Sequence, residues 1–148
     1  MIQVDLETRQ AIEYVLKGLQ TFEQNKAIRE GLNAAAKIFK DLGRANLASR
    51  IMGHGEQTGD TLRSFATRAS GSRRKSMTSA AGLRWPLGYK GHWHDRGTVA
   101  RYTKSGAYRG IMPSSGFMED AQIEGERPAM DAIFDGIQEA IARINSRR

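Results

Sequence analysis

Cysteine is missing from this 148-residue chain. Without thiols, disulfides and thiolate metal sites are excluded, which fits a reducing compartment. The N-terminus lacks a basic-then-apolar leader. No apolar run approaches the ~20 residues needed to span a bilayer. The sequence therefore predicts a soluble protein made in the cytoplasm, with no membrane partner. Patterns for familiar chemistries are also missing. There is no phosphate loop and no G-x-G-x-x-G, and Gly53-His54-Gly55 is turn chemistry. No serine sits in a G-x-S-x-G elbow. Acids are scarce in the middle: Glu56, Asp60 and Asp95 are the only three between residues 44 and 109. A two-carboxylate hydrolase is thinly supported by so few. The expectation is a protein that is not an enzyme, with no catalytic residue, no cofactor and no metal.

One pattern resembles a metal site. On a strand, His92 and His94 would place both rings on one face, with Asp95 beside them. A third ligand would have to be His54, a carboxylate or water. No Glu completes an H-E-x-x-H pattern. The simpler reading is surface and packing residues at a sheet edge.

What the chain does have is positive charge in one place. Its net charge is +7. Residues 1–43 carry six Lys/Arg against six Asp/Glu. Residues 44–109 carry thirteen against three, and residues 110–148 carry four against seven. A neutral start, a basic middle and an acidic end suit a partner that is a polyanion, or the acidic end of a neighbouring copy. Arg73, Arg74 and Lys75 cluster in one stretch, and Arg96, Arg101, Lys104 and Arg109 interleave with Trp93, Tyr102 and Tyr108. Cations neutralise phosphates and aromatics stack on bases. No sequence-reading motif accompanies them, so any DNA contact would be to the backbone.

Periodicity supplies the elements. Residues 2–6 alternate apolar and polar, as a short strand or arm does. Residues 7–20 are helical in pattern, with Ile12, Val15, Leu16 and Leu19 on one face. Over residues 23–51 a stronger stripe runs through Ile28, Leu32, Ala35, Phe39 and Leu42, and Gly43 is expected to kink or end that helix. Glycines 53, 55 and 59 break it. Residues 62–69 and 77–85 read as paired strands around a basic tip at 70–76. Residues 92–97 alternate, and 98–102 and 108–112 flank a second turn. Ser115 is a plausible N-cap for a last helix, with Glu119 and Asp120 in its first turns. Gly125 and Pro128 are expected to interrupt it before the stripe of Met130, Ile133, Phe134, Ile137, Ile141 and Ile144. The expected class is α+β: a small antiparallel sheet packed against a long N-terminal helix and a C-terminal helix, with long basic loops. One domain over 1–148 is expected, helical over 7–51, strands and loops over 58–112, and the C-terminal helix over 115–146.

Several residues in order also carry a likeness. Thr58-Gly59 with Leu62, Arg63 and Ser64 is followed by Trp93, Asp95, Gly97 and Thr98, then by Pro113, Phe117 and Ala121 at the opening of the last helix. This order resembles the neck and tail-completion proteins of long-tailed bacteriophages, small head–tail joining or minor tail components, over roughly residues 24–145. Three positions depart from the family pattern. Residues 53–57 stand where a proline usually precedes the TG, Asp95 and Arg96 precede Gly97 where glutamate and an aromatic are usual, and Gly116 stands where a proline adjoins the phenylalanine. The resemblance implies a virion protein, assembled in the host cytoplasm, that forms a homo-oligomeric ring (a hexamer, alternatively a dodecamer) at the head–tail junction. Its implied neighbours are head-completion or connector proteins and tail-terminator or tail-tube proteins, with genomic DNA in the lumen. Arg73, Arg74, Lys75, Arg96, Arg101, Lys104 and Arg109 would then face the channel or a partner. Glu119, Asp120, Glu124 and Glu126 would meet the next subunit. The alternative is a small basic protein that binds nucleic acid without reading sequence.

Overall fold

The computed structural model describes residues 21–52, 59–72 and 75–147, together with Gln10 and Lys17, both helical. The arm expected at 2–6, the rest of the helix expected at 7–20, the glycine turn at 53–58, and Arg73 and Arg74 lie outside the described residues. The described elements are helix α1 (Thr21–Met52), helical turn α2 (Gly59–Arg63), strands β1 (Phe65–Ser72) and β2 (Lys75–Leu83), helical turn α3 (Gly91–Arg96) and helix α4 (Phe117–Asn145). The fold is α+β, with α1 and α4 packed together and a two-stranded antiparallel hairpin between them. Contacts group the described residues into two compact units. One contains 21–39, 67–80 and 125–147, and the other contains 40–66 and 81–124.

In the first unit the deepest line along α1 is made of small residues rather than large ones. Ala27, Gly31, Ala35 and Ala36 are buried, while Ile28 and Leu32 are half-buried beside them. The spacing of 27, 31 and 35 stacks three small residues on one row of the helix surface. From α4, Ile137, Ala140 and Ile141 close on Ala27, with Ile133, Phe134 and Ile144 around them. A Cβ on Gly31 would lie 2.5 Å from the Ile133 carbonyl oxygen and 2.9 Å from Ile137 Cγ1. One on Gly136 would lie 2.9 Å from the Gly31 Cα. The helices thus touch backbone to backbone at this point, and the larger side chains fill the space alongside. Each fully buried isoleucine or phenylalanine contributes about 1.5–3 kcal/mol. Two polar contacts tie the outer part of the hairpin to α1. The Arg29 guanidinium donates to the Gly71 carbonyl at 3.1 Å, and Ser79 Oγ donates to Asn33 Oδ1 at 3.0 Å. Glu30 of α1 pairs with Arg143 of α4. Along β2 a two-residue period runs from Met77 to Ala81, with Met77, Ser79 and Ala81 half-buried and Thr78 and Ala80 exposed, and Gly82 and Leu83 are both half-buried.

The second unit has a core of Leu47, Phe65 and Phe117, packed round by Leu62, Leu83 and Met118. The two phenylalanine rings meet edge to face, 6.1 Å between centroids. Here the expected strand over 62–69 begins late. Leu62 belongs to the turn α2, and the strand opens at Phe65. The cause is Ser64, whose amide and hydroxyl both donate to the Thr61 carbonyl (3.2 and 2.6 Å), which closes a helical turn before the chain extends. The hairpin base is then joined by the Arg84 amide donating to the Ser64 carbonyl at 2.8 Å.

Two expected breaks do not occur. Helix α1 runs through Gly43, which is buried against Met118 and the Phe65 ring. Helix α4 runs through Gly125 and Pro128. Gly125 and Ala129 are buried, whereas Pro128 is exposed, as is Glu124 four residues back. The carbonyl that proline deprives of an amide partner is on that wetted side, where water can satisfy it.

The two α1 glycines should respond differently to alanine. At Gly31 the new methyl meets backbone, so overpacking outweighs the ~1 kcal/mol gained in helix propensity, and a net loss of about 1–2 kcal/mol is expected. At Gly43 the methyl meets the Met118 sulfur and the Phe65 ring edge at 3.0 Å. The thioether can turn aside, so Gly43→Ala should fall within ~0.5 kcal/mol of the parent. Urea unfolding of both variants gives the comparison. Equal stability of the two would contradict the close approach at Gly31.

Candidate interaction surface

Five of the residues that carry the family likeness, Asp95, Gly97, Thr98, Phe117 and Ala121, lie around the start of α4. Turn α3 ends at Gly97, with φ +74° and ψ −172°, a conformation open to glycine. A Cβ there would come 2.7 Å from the Met112 carbonyl oxygen. Thr98 then pairs with Met112 twice: its amide donates to the Met112 carbonyl at 2.9 Å, and its Oγ1 accepts from the Met112 amide at 3.0 Å. The chain reaching α4 is held next. The Ser115 amide and hydroxyl both donate to the His94 carbonyl, at 2.9 and 2.7 Å, and the Gly116 amide donates to the Asp95 carbonyl at 3.1 Å. Asp95 Oδ1 accepts the Met118 amide at 3.0 Å. From α1, Arg50 donates to the Ser115 carbonyl and pairs with Asp120. Phe117 and Ala121 lead into the core.

This arrangement corrects two expectations. Ser115 was expected to cap α4, but its hydroxyl points back to α3. The carboxylate of Asp95, more than twenty residues earlier, takes a first-turn amide instead. An anion there meets both the open N–H group and the positive end of the helix dipole. The alternating segment at 92–97 is also a helical turn, not a strand. Neighbours two apart on a helix point to different sides, so His92 and His94 do not share a face as they would on a strand. Among the described residues no group of three or more His, Asp or Glu is placed to hold a metal ion.

Outside this framework the second unit carries an exposed surface that is both apolar and cationic. Trp85, Tyr89 and Trp93 form a ladder of edge-to-face rings, with centroids 5.8 and 5.4 Å apart. Trp85 is 75% exposed, and Tyr89 and Trp93 are also exposed. The Lys90 ammonium lies 5.8 Å from the centre of the Tyr89 ring. Leu87, Val99 and Ile111 are exposed as well. Tyr102 and Tyr108 pair across an antiparallel bridge, their rings 5.5 Å apart. The turn between them is held by the Thr103 amide donating to the Ala107 carbonyl at 2.8 Å. The expected second hairpin is therefore present as a short ladder around one bridge rather than as regular strands.

The sequence-derived candidates are distributed over this surface and beyond it. Arg96, Arg101, Lys104 and Arg109 are exposed. Lys75 opens β2. Of the four acids, Asp120 is engaged by Arg50, and Glu124 accepts a 3.5 Å contact from Asn46 Nδ2. Glu119 and Glu126 are exposed. The ladder itself was not among the candidates, although aromatics at 85, 89 and 93, four residues apart, are the signal that would have found it. No family model, curated protein or solved structure matches the chain.

The α4 cap makes a graded prediction. Asp95→Ala should cost about 0.5–2 kcal/mol, the usual loss for a removed N-terminal cap. Asp95→Asn keeps an acceptor and should lose only the charge–dipole part, about 0.3–1 kcal/mol. Thermal and urea unfolding should rank parent, Asn and Ala in that order. Gly97→Ala, which meets both positive φ and backbone contact, should cost more than either.

Proposed function

We propose that the protein is a structural component of a bacteriophage head–tail junction, a neck or tail-completion protein acting as a homo-oligomeric ring around the DNA channel. The observation that carries this reading is the convergence at α4. Asp95, Gly97, Thr98, Phe117 and Ala121 come from separate stretches of the chain, yet each has a framework role around the start of α4. The likeness to the joining proteins therefore rests on residues that build an architecture, which is what an assembly protein requires. Around that framework lie exposed rings and cations suited to contacts with other molecules rather than to a reaction. A closed ring needs two different patches that meet head to tail. The basic middle and acidic end of this chain supply opposite charge for them, and such charge favours correct register. In this reading the exposed cations Arg96, Arg101, Lys104 and Arg109, with Arg73, Arg74 and Lys75, serve the DNA channel or the adjoining connector and tail proteins.

A second reading, a sequence-nonspecific nucleic-acid-binding protein, is favoured by one specific feature. Tyr102 and Tyr108 are exposed at a turn that also carries Arg101, Lys104 and Arg109, a combination able to stack on bases and neutralise phosphates.

Inactivating the gene in the phage genome that carries it should leave filled heads and separate tails that do not join. Electron microscopy of the lysate, with complementation by the intact gene, checks this. A normal yield of tailed particles from the inactivated phage would rule the proposal out. Salt titration of binding to random DNA separates the second reading. Tight binding by the isolated subunit, falling steeply with salt, is the outcome expected of it, whereas the joining protein should bind weakly as a single subunit.

A further inference from the structure

Cations of the second unit stand in two different settings. Arg50 pairs with Asp120 and Arg63 with Asp60. Arg101, Lys104 and Arg109 are exposed, and among the described residues no carboxylate pairs with them. Their stretch of chain supplies none: no Asp or Glu lies between Asp95 and Glu119, and Asp95 takes the Met118 amide. The hairpin that bears the three cations is closed by its own backbone. The Arg109 amide donates to the Arg101 carbonyl at 2.7 Å and the Thr103 amide to the Ala107 carbonyl at 2.8 Å. At the turn the Ala107 amide donates to Thr103 Oγ1 at 2.9 Å. Tyr102 and Tyr108 meet across the bridge, 62% and 60% exposed, with ring planes inclined by 57°.

Three exposed cations without a carboxylate suit a polyanion, and the rings between them decide which kind. The face of a tyrosine ring is the negative side of its quadrupole, so the carboxylates of an acidic protein gain nothing there. A nucleobase stacks on that face while its phosphates meet the cations. The two rings are too inclined to form a parallel slot, so each offers its outer face to one base. In a duplex the base faces are already covered by neighbouring bases, whereas a single strand can splay its bases out. We propose that the hairpin over residues 101–109 is a binding site for single-stranded nucleic acid, with bases stacked on Tyr102 and Tyr108 and phosphates held by Arg101, Lys104 and Arg109. Stacking is tolerant of sequence, because every base has a π-face. The proposal rests on the nucleic-acid-binding reading above, and adds to it the place of binding and the form of the ligand.

The test measures fluorescence anisotropy of a labelled oligothymidine strand and of the duplex of the same length, with the full chain. The parent should bind the single strand more tightly than the duplex. Tyr102→Ala with Tyr108→Ala should weaken single-strand binding about tenfold or more and leave its salt dependence unchanged. Tyr102→Phe with Tyr108→Phe keeps the stacking faces and should bind like the parent. Arg101→Gln with Lys104→Gln and Arg109→Gln should flatten the log–log dependence on salt by about 2, the share of three phosphate contacts. All five positions are exposed, so the variants should fold, and circular dichroism with urea unfolding checks that. Variants that bind the strand like the parent would overturn this site and leave the nucleic-acid-binding reading standing. A parent that binds neither strand nor duplex at low salt would overturn both. A preference for the duplex, or failure of the phenylalanine pair to restore binding, would overturn the stacking of single-stranded bases. Polyglutamate that displaces the strand at equal charge concentration, and binds with the same dependence on the tyrosines, would assign the hairpin to an acidic protein and overturn the proposal.

Discussion

Gly31 leaves no room for a side chain between the two long helices. The Ile133 carbonyl oxygen occupies the space a methyl group would need, and Gly136, one turn on in the same helix, also meets the Gly31 backbone. Much of the first unit follows from that constraint. Backbones this close bring Ala27, Ala140, Ile137 and Ile141 into one cluster and leave the bulky residues to flank rather than separate the helices. Dispersion rewards such an approach, because every atom pair near its optimum adds a little and the row contains many. The hairpin is then secured to α1 by hydrogen bonds at Gly71 and Asn33, because its own strands contribute few large apolar groups.

In the second unit the corresponding constraint is polar. The start of α4 is stitched to α3 through the His94 and Asp95 carbonyls and the Asp95 carboxylate, and to α1 through Arg50. Helix N-termini leave amides without partners. Here two of the demands, a cap for the helix and a fixed path for the chain leading to it, are met by one short turn. Around that framework the rings of Trp85, Tyr89 and Trp93 and the cations Arg96, Arg101, Lys104 and Arg109 are exposed. Affinity for a partner, if built this way, requires no rearrangement of the framework, and a preformed surface loses less entropy on association.

The acidic residues show how one helix serves both purposes. Asp120 pairs with Arg50, and Glu124, though exposed, accepts from Asn46, while Glu119 and Glu126 are exposed. Composition alone treats these four carboxylates alike. Their division follows from the 100° rotation per residue of a helix, which sends neighbours in sequence to different sides.

The sequence by itself determined the α+β class, the long helices, the hairpin, and the concentration of cations between residues 44 and 109, whereas the loop expected over 70–76 is strand through Ser72 and again from Lys75. These are local properties: a 3.6-residue or two-residue period, or a count of charges, needs no knowledge of what packs against it. Only the tertiary structure decided that Gly43, Gly125 and Pro128 lie within continuous helix, since burial against Phe65 and Met118 in one case and exposure to water in another override local propensity. It also decided that Asp95 rather than Ser115 caps α4, that residues 91–96 form a helical turn, and that Trp85, Tyr89 and Trp93 meet as one ladder. Each of these depends on partners distant in sequence or on the path of a loop, and periodicity carries no record of either.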